Sequence, residues 1–246
     1  MPPPTRKSVN QFVELTGTTM ANATTWLSHY NNNFEQALDA YLSKKSGQGE
    51  TSSALEAIFA KYKDPEGEDI GIDGTIAYIE DLGFEPEDVS ALILAEFLES
   101  PSVGIFKKDA FVRKWTALNV ESVSEMAAFI ELEKKRYAGN KDYFKQVYEY
   151  TFTIALDANA RVLSNEVAVE YWNLLLAPVY GAKLALWVKF VVEEWKKTIN
   201  RDAWTMLLPF LEWFSQQTSL AEYDETAAWP SLIDAFVEYV NSHEFL

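Results

Sequence analysis

The sequence predicts an all-α protein, with a small N-terminal three-helix unit ahead of a larger helical domain. Three observations carry that prediction. Apolar residues recur at three- and four-residue spacings in segment after segment. No stretch alternates apolar and polar residues for long enough to suggest a sheet. The connections are short and carry turn residues, such as Asp64-Pro-Glu-Gly and Ala138-Gly-Asn. At 246 residues, 48% apolar and 14% aromatic, the chain is long enough to bury a core.

Taken in order, residues 8–45 read as three short helices. Phe12 and Val13 give the first its apolar pair, and Ala23, Trp26 and Leu27 do so for the second. The third is clearest: Phe34, Ala37, Leu38, Tyr41 and Leu42 fall at i, i+3, i+4, i+7 and i+8, with Asn31 to Asn33 as its cap. In so small a unit, Trp26 and Phe34 are expected to dominate the core. A polar, Gly/Ser-rich stretch follows and reads as a linker at 46–53. Residues 54–246 then form the larger domain. Its helix-spaced sets are Leu55/Ile58/Phe59/Tyr62, Ile76/Ile79, Phe144/Val147/Tyr148/Thr151/Phe152, Trp187/Phe190/Val191, Trp204/Leu207/Leu208/Leu211 and Ile233/Phe236/Val237/Val240.

Charge narrows the function. The net charge is −16, yet residues 1–46 carry +1, so the rest carries −17. Phosphate and anionic lipid both call for a basic surface, so neither nucleic acid nor membrane is expected as a partner. The first seven residues lack a signal-peptide core, and no apolar run approaches the ~20 residues that span a bilayer. A soluble protein of the cytoplasm and nucleus is expected. There is no cysteine, which excludes disulfides, thioester intermediates and cysteine-based zinc sites. The two histidines, His29 and His243, have no neighbourhood suggesting a catalytic triad, and no nucleotide-binding glycine motif occurs. No cofactor is implied, and no enzymatic residue stands out.

Two loops invite a metal reading. Residues 64–75 and 157–168 have the shape of calcium loops between helices. An EF-hand needs glycine at its sixth position and a bidentate glutamate at its twelfth. The first loop has Asp69 and Thr75 there; the second has Arg161 at its fifth position and Ala168 at its twelfth. Both read as degenerate EF-hand-like turns without metal.

The last 45 residues, Asp202 to Leu246, contain no lysine or arginine and eight acids. A face of that kind suits a basic partner. Trp229-Pro230 sets a turn, because the residue before proline avoids the α region and proline suits a helix start. On the helix that follows, Ile233, Phe236, Val237 and Val240 face inward, and Asp234 and Glu238 face away. Ala227 and Ala228 add no bulk in front of them. Asp202 lies in the first turn of its own helix, where the dipole favours an acid.

Two resemblances follow from these strings. Residues 33–42, NFEQALDAYL, look like the last helix of a ubiquitin-associated (UBA) domain, and Gly17 keeps the glycine of that family's first loop. Residues 223–236, YDETAAWPSLIDAF, resemble the signature of the defective-in-cullin-neddylation family. Tyr62-Lys-Asp-Pro-Glu, Ile70-Gly-Ile-Asp-Gly, Glu170-Tyr-Trp-Asn-Leu-Leu and Ile199-Asn-Arg-Asp-Ala-Trp extend that resemblance in order through 54–246. A UBA-like domain ahead of a cullin-binding domain is the family's fungal-type arrangement. The resemblance implies a scaffold-type co-ligase, without a catalytic residue, that promotes attachment of a ubiquitin-like modifier to cullins. It implies a cullin-binding patch at Asp202, Ala228 and Asp234, facing the cullin's C-terminal winged-helix region. It also implies an apolar pocket at Leu94, Phe106, Ile154 and Leu174 for the acetylated N-terminal methionine of the neddylation conjugating enzyme. The RING subunit of the cullin ligase, and ubiquitin through the UBA-like domain, are further candidate partners. The alternatives are a ubiquitin-binding adaptor with another client and an EF-hand-like, calcium-responsive protein.

Overall fold

The computed structural model describes residues 3–46 and 53–243. The chain divides into two compact units, residues 1–100 with 104–135, and residues 101–103 with 136–246. Residues 47–52 of the expected linker at 46–53 lie outside the described ones.

The first unit begins with α1 (Arg6–Thr16), α2 (Met20–His29) and α3 (Phe34–Ser46). Each helix starts on a side-chain cap. Thr5 accepts from the Ser8 amide, Thr19 from the Asn22 amide and Asn33 from the Gln36 amide, all at 3.2 Å. Gly17 ends α1 in the left-handed conformation, with φ of 69°. The core differs from the expected one. Phe12, fully buried, leads a set with Val9, Ala23, Leu27, Ala37 and Tyr41, while Trp26 and Phe34 pack at its margin. Trp26 stays at the edge because its indole N–H needs an acceptor, which it finds in the Leu118 carbonyl at 3.4 Å. Leu42, placed on the inner stripe by spacing alone, is exposed.

The unit continues with α4 (Ser53–Tyr62), α5 (Ile72–Asp81), α6 (Val89–Phe97), α7 (Lys108–Leu118) and the first part of α8 (Val123–Gly139). The loop joining α4 to α5 meets the loop joining α6 to α7. Ile70 and Phe106 exchange backbone hydrogen bonds there, each 3.0 Å long. Phe59, Tyr78, Phe106, Phe111 and Trp115 fill the space behind that bridge. On α5 the buried face is Thr75, Tyr78 and Ile79; Ile76 is exposed, because the tyrosine ring takes the inward position.

The second unit holds α9 (Lys141–Ile154), β1 (Val162–Leu163), α10 (Asn165–Phe190), a π-helical turn at Val191–Trp195, β2 (Ile199–Asn200), α11 (Arg201–Phe214) and α12 (Ser231–Ser242). The two-residue strands pair antiparallel, Val162 with Asn200 and Leu163 with Ile199, a small sheet that periodicity could not show. Tyr148, Trp172 and Trp204 stack at the centre. Phe190, Phe210, Phe214 and Phe236 join α10 and α11 to α12. One helical run, Asn165–Trp195, is long and apolar enough to cross a membrane by length and composition, contrary to the expectation that none comes close. Here Trp172, Leu175, Leu176, Leu184 and Trp187 bury its apolar face in the unit's own core. The run is also broken at Gly181, whose φ of 45° and ψ of −118° leave the helical region three residues after Pro178.

Candidate functional site

The backbone that carries the predicted patch is fixed first. β2 delivers the chain into α11, where the Asn200 side chain accepts the Ala203 amide at 2.8 Å. Asn200 is therefore the cap, and Asp202 is the acid beside it in the first turn, exposed to solvent. The loop before α12 is held by Asp224, which accepts from the Thr226 amide at 2.9 Å and the Thr226 hydroxyl at 2.6 Å. Those bonds hold the Asp224 carboxyl below the usual carboxylate range. The Ala227 amide then donates to the Asp224 carbonyl (3.2 Å), and the Trp229 amide to the Ala227 carbonyl (2.8 Å). Ala228 stands exposed in that turn. Pro230, with φ of −59° and ψ of 143°, precedes the first residue of α12.

Asp202 and Asp234 thus occupy the first turns of two helices packed through Phe210, Phe214 and Phe236. Both are exposed, and both gain from the partial positive charge at a helix start. Among the described residues no ion pair engages either carboxylate. Asp234 is not bare, however. The Tyr223 hydroxyl donates to it at 2.6 Å across eleven positions of sequence. Burial and that carboxylate together push the Tyr223 phenol well above its ordinary range. Beside Asp234 lies a cleft of about 660 Å³, whose walls include Tyr223, Glu225, Val237, Glu238 and Asn241. Sequence spacing pairs Asp234 with Glu238 on one helix; it has no means of bringing in Tyr223 and Glu225.

The four predicted pocket residues divide between the units. Leu94 on α6 and Phe106 ahead of α7 belong to the first; Ile154 at the end of α9 and Leu174 on α10 belong to the second. Leu94, Phe106 and Ile154 are each at most 2% exposed and serve as core, while Leu174 is half-buried. A larger cleft, about 760 Å³, is walled by Phe144, Val179, Tyr180, Met206, Pro209 and Glu212 among others, and holds none of the predicted residues.

Among the described residues no three His, Asp or Glu side chains converge as ligands. In the 64–75 loop, Asp64 accepts the Glu66 amide at 2.9 Å, and Asp69 is paired with Lys107 at 2.7 Å.

Comparison with known proteins follows the same division of the chain. Residues 125–239 match a family model described as Cullin binding, and residues 6–48 match one described as UBA-like domain. The chain is similar to Defective in cullin neddylation protein 1 of Yarrowia lipolytica, 35% identical over 95% of this chain and 96% of that one. It is similar to the protein of the same name in Eremothecium gossypii (31%, 98% and 98%) and in Saccharomyces cerevisiae (29%, 98% and 96%). With an all-α fold, a UBA-like start and near full-length kinship to these proteins, the chain belongs to the defective-in-cullin-neddylation family.

Proposed function

We propose that the protein is a scaffold-type co-ligase of cullin neddylation. It binds a cullin C-terminal winged-helix region through Asp202, Ala228 and Asp234. The observation that carries this reading is the pair of exposed carboxylates, each at a helix start and, among the described residues, in no ion pair, with Ala227 and Ala228 exposed in the loop that leads to Asp234. A basic partner surface would meet unneutralised charge there, which speeds encounter and sets orientation. The mechanism is proximity. Without cysteine the chain cannot hold the modifier as a thioester, so on this reading it acts by positioning its partners and not through a thioester of its own. Holding conjugating enzyme and cullin together makes the transfer effectively intramolecular.

The conjugating enzyme is the second proposed partner, recognised through its acetylated N-terminus. An acetylated methionine is neutral and apolar, which suits apolar side chains better than a free ammonium would. The RING subunit of the cullin ligase is a further proposed partner, and the cytoplasm and nucleus are the proposed location. A titration against a cullin C-terminal fragment tests the first contact. Asp202→Ala and Asp234→Ala are each expected to weaken binding severalfold while the fold survives; parent-like affinity in both would refute the patch.

A second contact is favoured by one observation. The UBA-like helices leave Leu15, Met20 and Leu42 exposed at 55%, 50% and 43%. Apolar side chains so exposed on one small unit suit a protein partner, and ubiquitin is the proposed one. Titrating isotope-labelled protein with ubiquitin should shift the signals of these residues; unshifted spectra would remove ubiquitin from the partners.

A further inference from the structure

The Tyr223 ring is held on three sides before its hydroxyl does anything. It stacks on Trp229 with ring centroids 6.3 Å apart, meets Phe210 edge-on at 6.4 Å, and tilts against Trp213 at 6.1 Å. Phe210 and Trp213 belong to α11; Trp229 is the neighbour of Ala228. The ring therefore joins α11 to the loop that presents the alanine gap. Its hydroxyl reaches on to α12 and donates to one oxygen of Asp234 at 2.6 Å.

An exposed aspartate on a helix ordinarily moves among rotamers. A short bond from a neutral donor to a carboxylate is charge-assisted, and here the donor rides on a ring that packing has immobilised. Asp234 is thereby held in one orientation with its charge left uncompensated, where a lysine partner would offset it. One carboxylate oxygen is occupied, and the other is left to accept from outside. The adjacent cleft adds Glu225 and Glu238, two further acids for attraction.

We propose that Tyr223 is a positioning residue of the partner face. It sets the Asp234 carboxylate, in a fixed relation to Ala228, to receive a lysine or arginine side chain from the partner. This rests on the cullin-binding reading above and adds to it the residue that orients the acid.

A double-mutant cycle tests it, with a cullin C-terminal fragment titrated against the full chain. Tyr223→Phe keeps the ring and removes only the donor. It should weaken binding about fivefold, close to one hydrogen bond's net worth of about 1 kcal/mol. The melting temperature should not change. In an Asp234→Ala background the same change should cost nothing further, because there is no carboxylate left to orient. Parent-like affinity for Tyr223→Phe overturns the proposal. So does an equal loss in both backgrounds, which would mean that the hydroxyl only steadies the loop. Failure of the underlying reading looks different: Asp234→Ala alone would then bind as the parent does, and the proposal would fall with it.

Discussion

Tyr148 is where three helices of the second unit depend on one hydroxyl. It donates to the Trp204 carbonyl at 2.6 Å and accepts the Trp172 indole N–H at 3.2 Å, in a fully buried setting. Tyr148→Phe would take the acceptor from the buried Trp172 indole and one donor from the Trp204 carbonyl. It should lower stability by about 1–3 kcal/mol, measured by urea denaturation. Gly74 carries a different constraint. A Cβ there would run into the Tyr62 carbonyl oxygen, so the start of α5 can lie against the end of α4 only as glycine. Gly74→Ala should cost roughly 1–3 kcal/mol and lower the melting temperature, since backbone must move to admit the methyl. Asp202 and Asp234 were legible as a pair of unpaired acids because charge bias and helix spacing are sequence properties. The Tyr223 bond to Asp234 was not, because contacts eleven residues apart through a loop leave no periodic mark.

At the scale of the element, the helices were largely legible and their inner faces less so. Apolar spacing located α3, but it assigned Leu42 to the inside and gave Phe34 a leading place in the core. Phe12 in fact fills the junction, edge-on to Phe34 at 6.0 Å and to Tyr41 at 5.5 Å. Phe12→Ala should cost about 3–5 kcal/mol, more than a unit of this size can withstand. Amide signals of residues 6–42 should collapse toward random-coil positions while those of the second unit keep their dispersion. The α6 cap gives a prediction in pH. Burial opposes charge on Asp88, but Lys134 at 2.8 Å and the Ser90 hydroxyl and amide outweigh it, so its folded pKa lies below the ordinary value. A depressed carboxylate pKa contributes stability above the unfolded value, near 3.9, and loses it as pH falls through the folded value. Asp88→Asn keeps an oxygen for the cap and removes the charge. Its stability deficit at pH 7 should therefore shrink below about pH 4, and an unchanged deficit there would contradict the assignment.

For the whole molecule, the all-α class was legible because helical period survives in almost every segment. The short β1–β2 pairing and the meeting of Ile70 with Phe106 were not, since each rests on single residues brought together from distant loops. The charge asymmetry was fully legible and has a measurable consequence. If the acidic face meets a basic cullin surface, raising salt from about 0.05 to 0.5 M should shorten the Debye length severalfold and slow association most. Stopped-flow association rates check this, and rates independent of salt would argue against electrostatic encounter. The same arginine- and lysine-free segment has a second consequence, one of chemoselectivity. From Asp202 to Leu246 no side chain offers an ε-amine. On the proposed reading, an activated modifier carried to this face finds no lysine amine in that segment to acylate. Lys183 of α10 does reach the segment, but its amine is engaged by the Gln217 carbonyl at 3.1 Å and the Phe214 ring, so the acceptor lysine is expected from the partner.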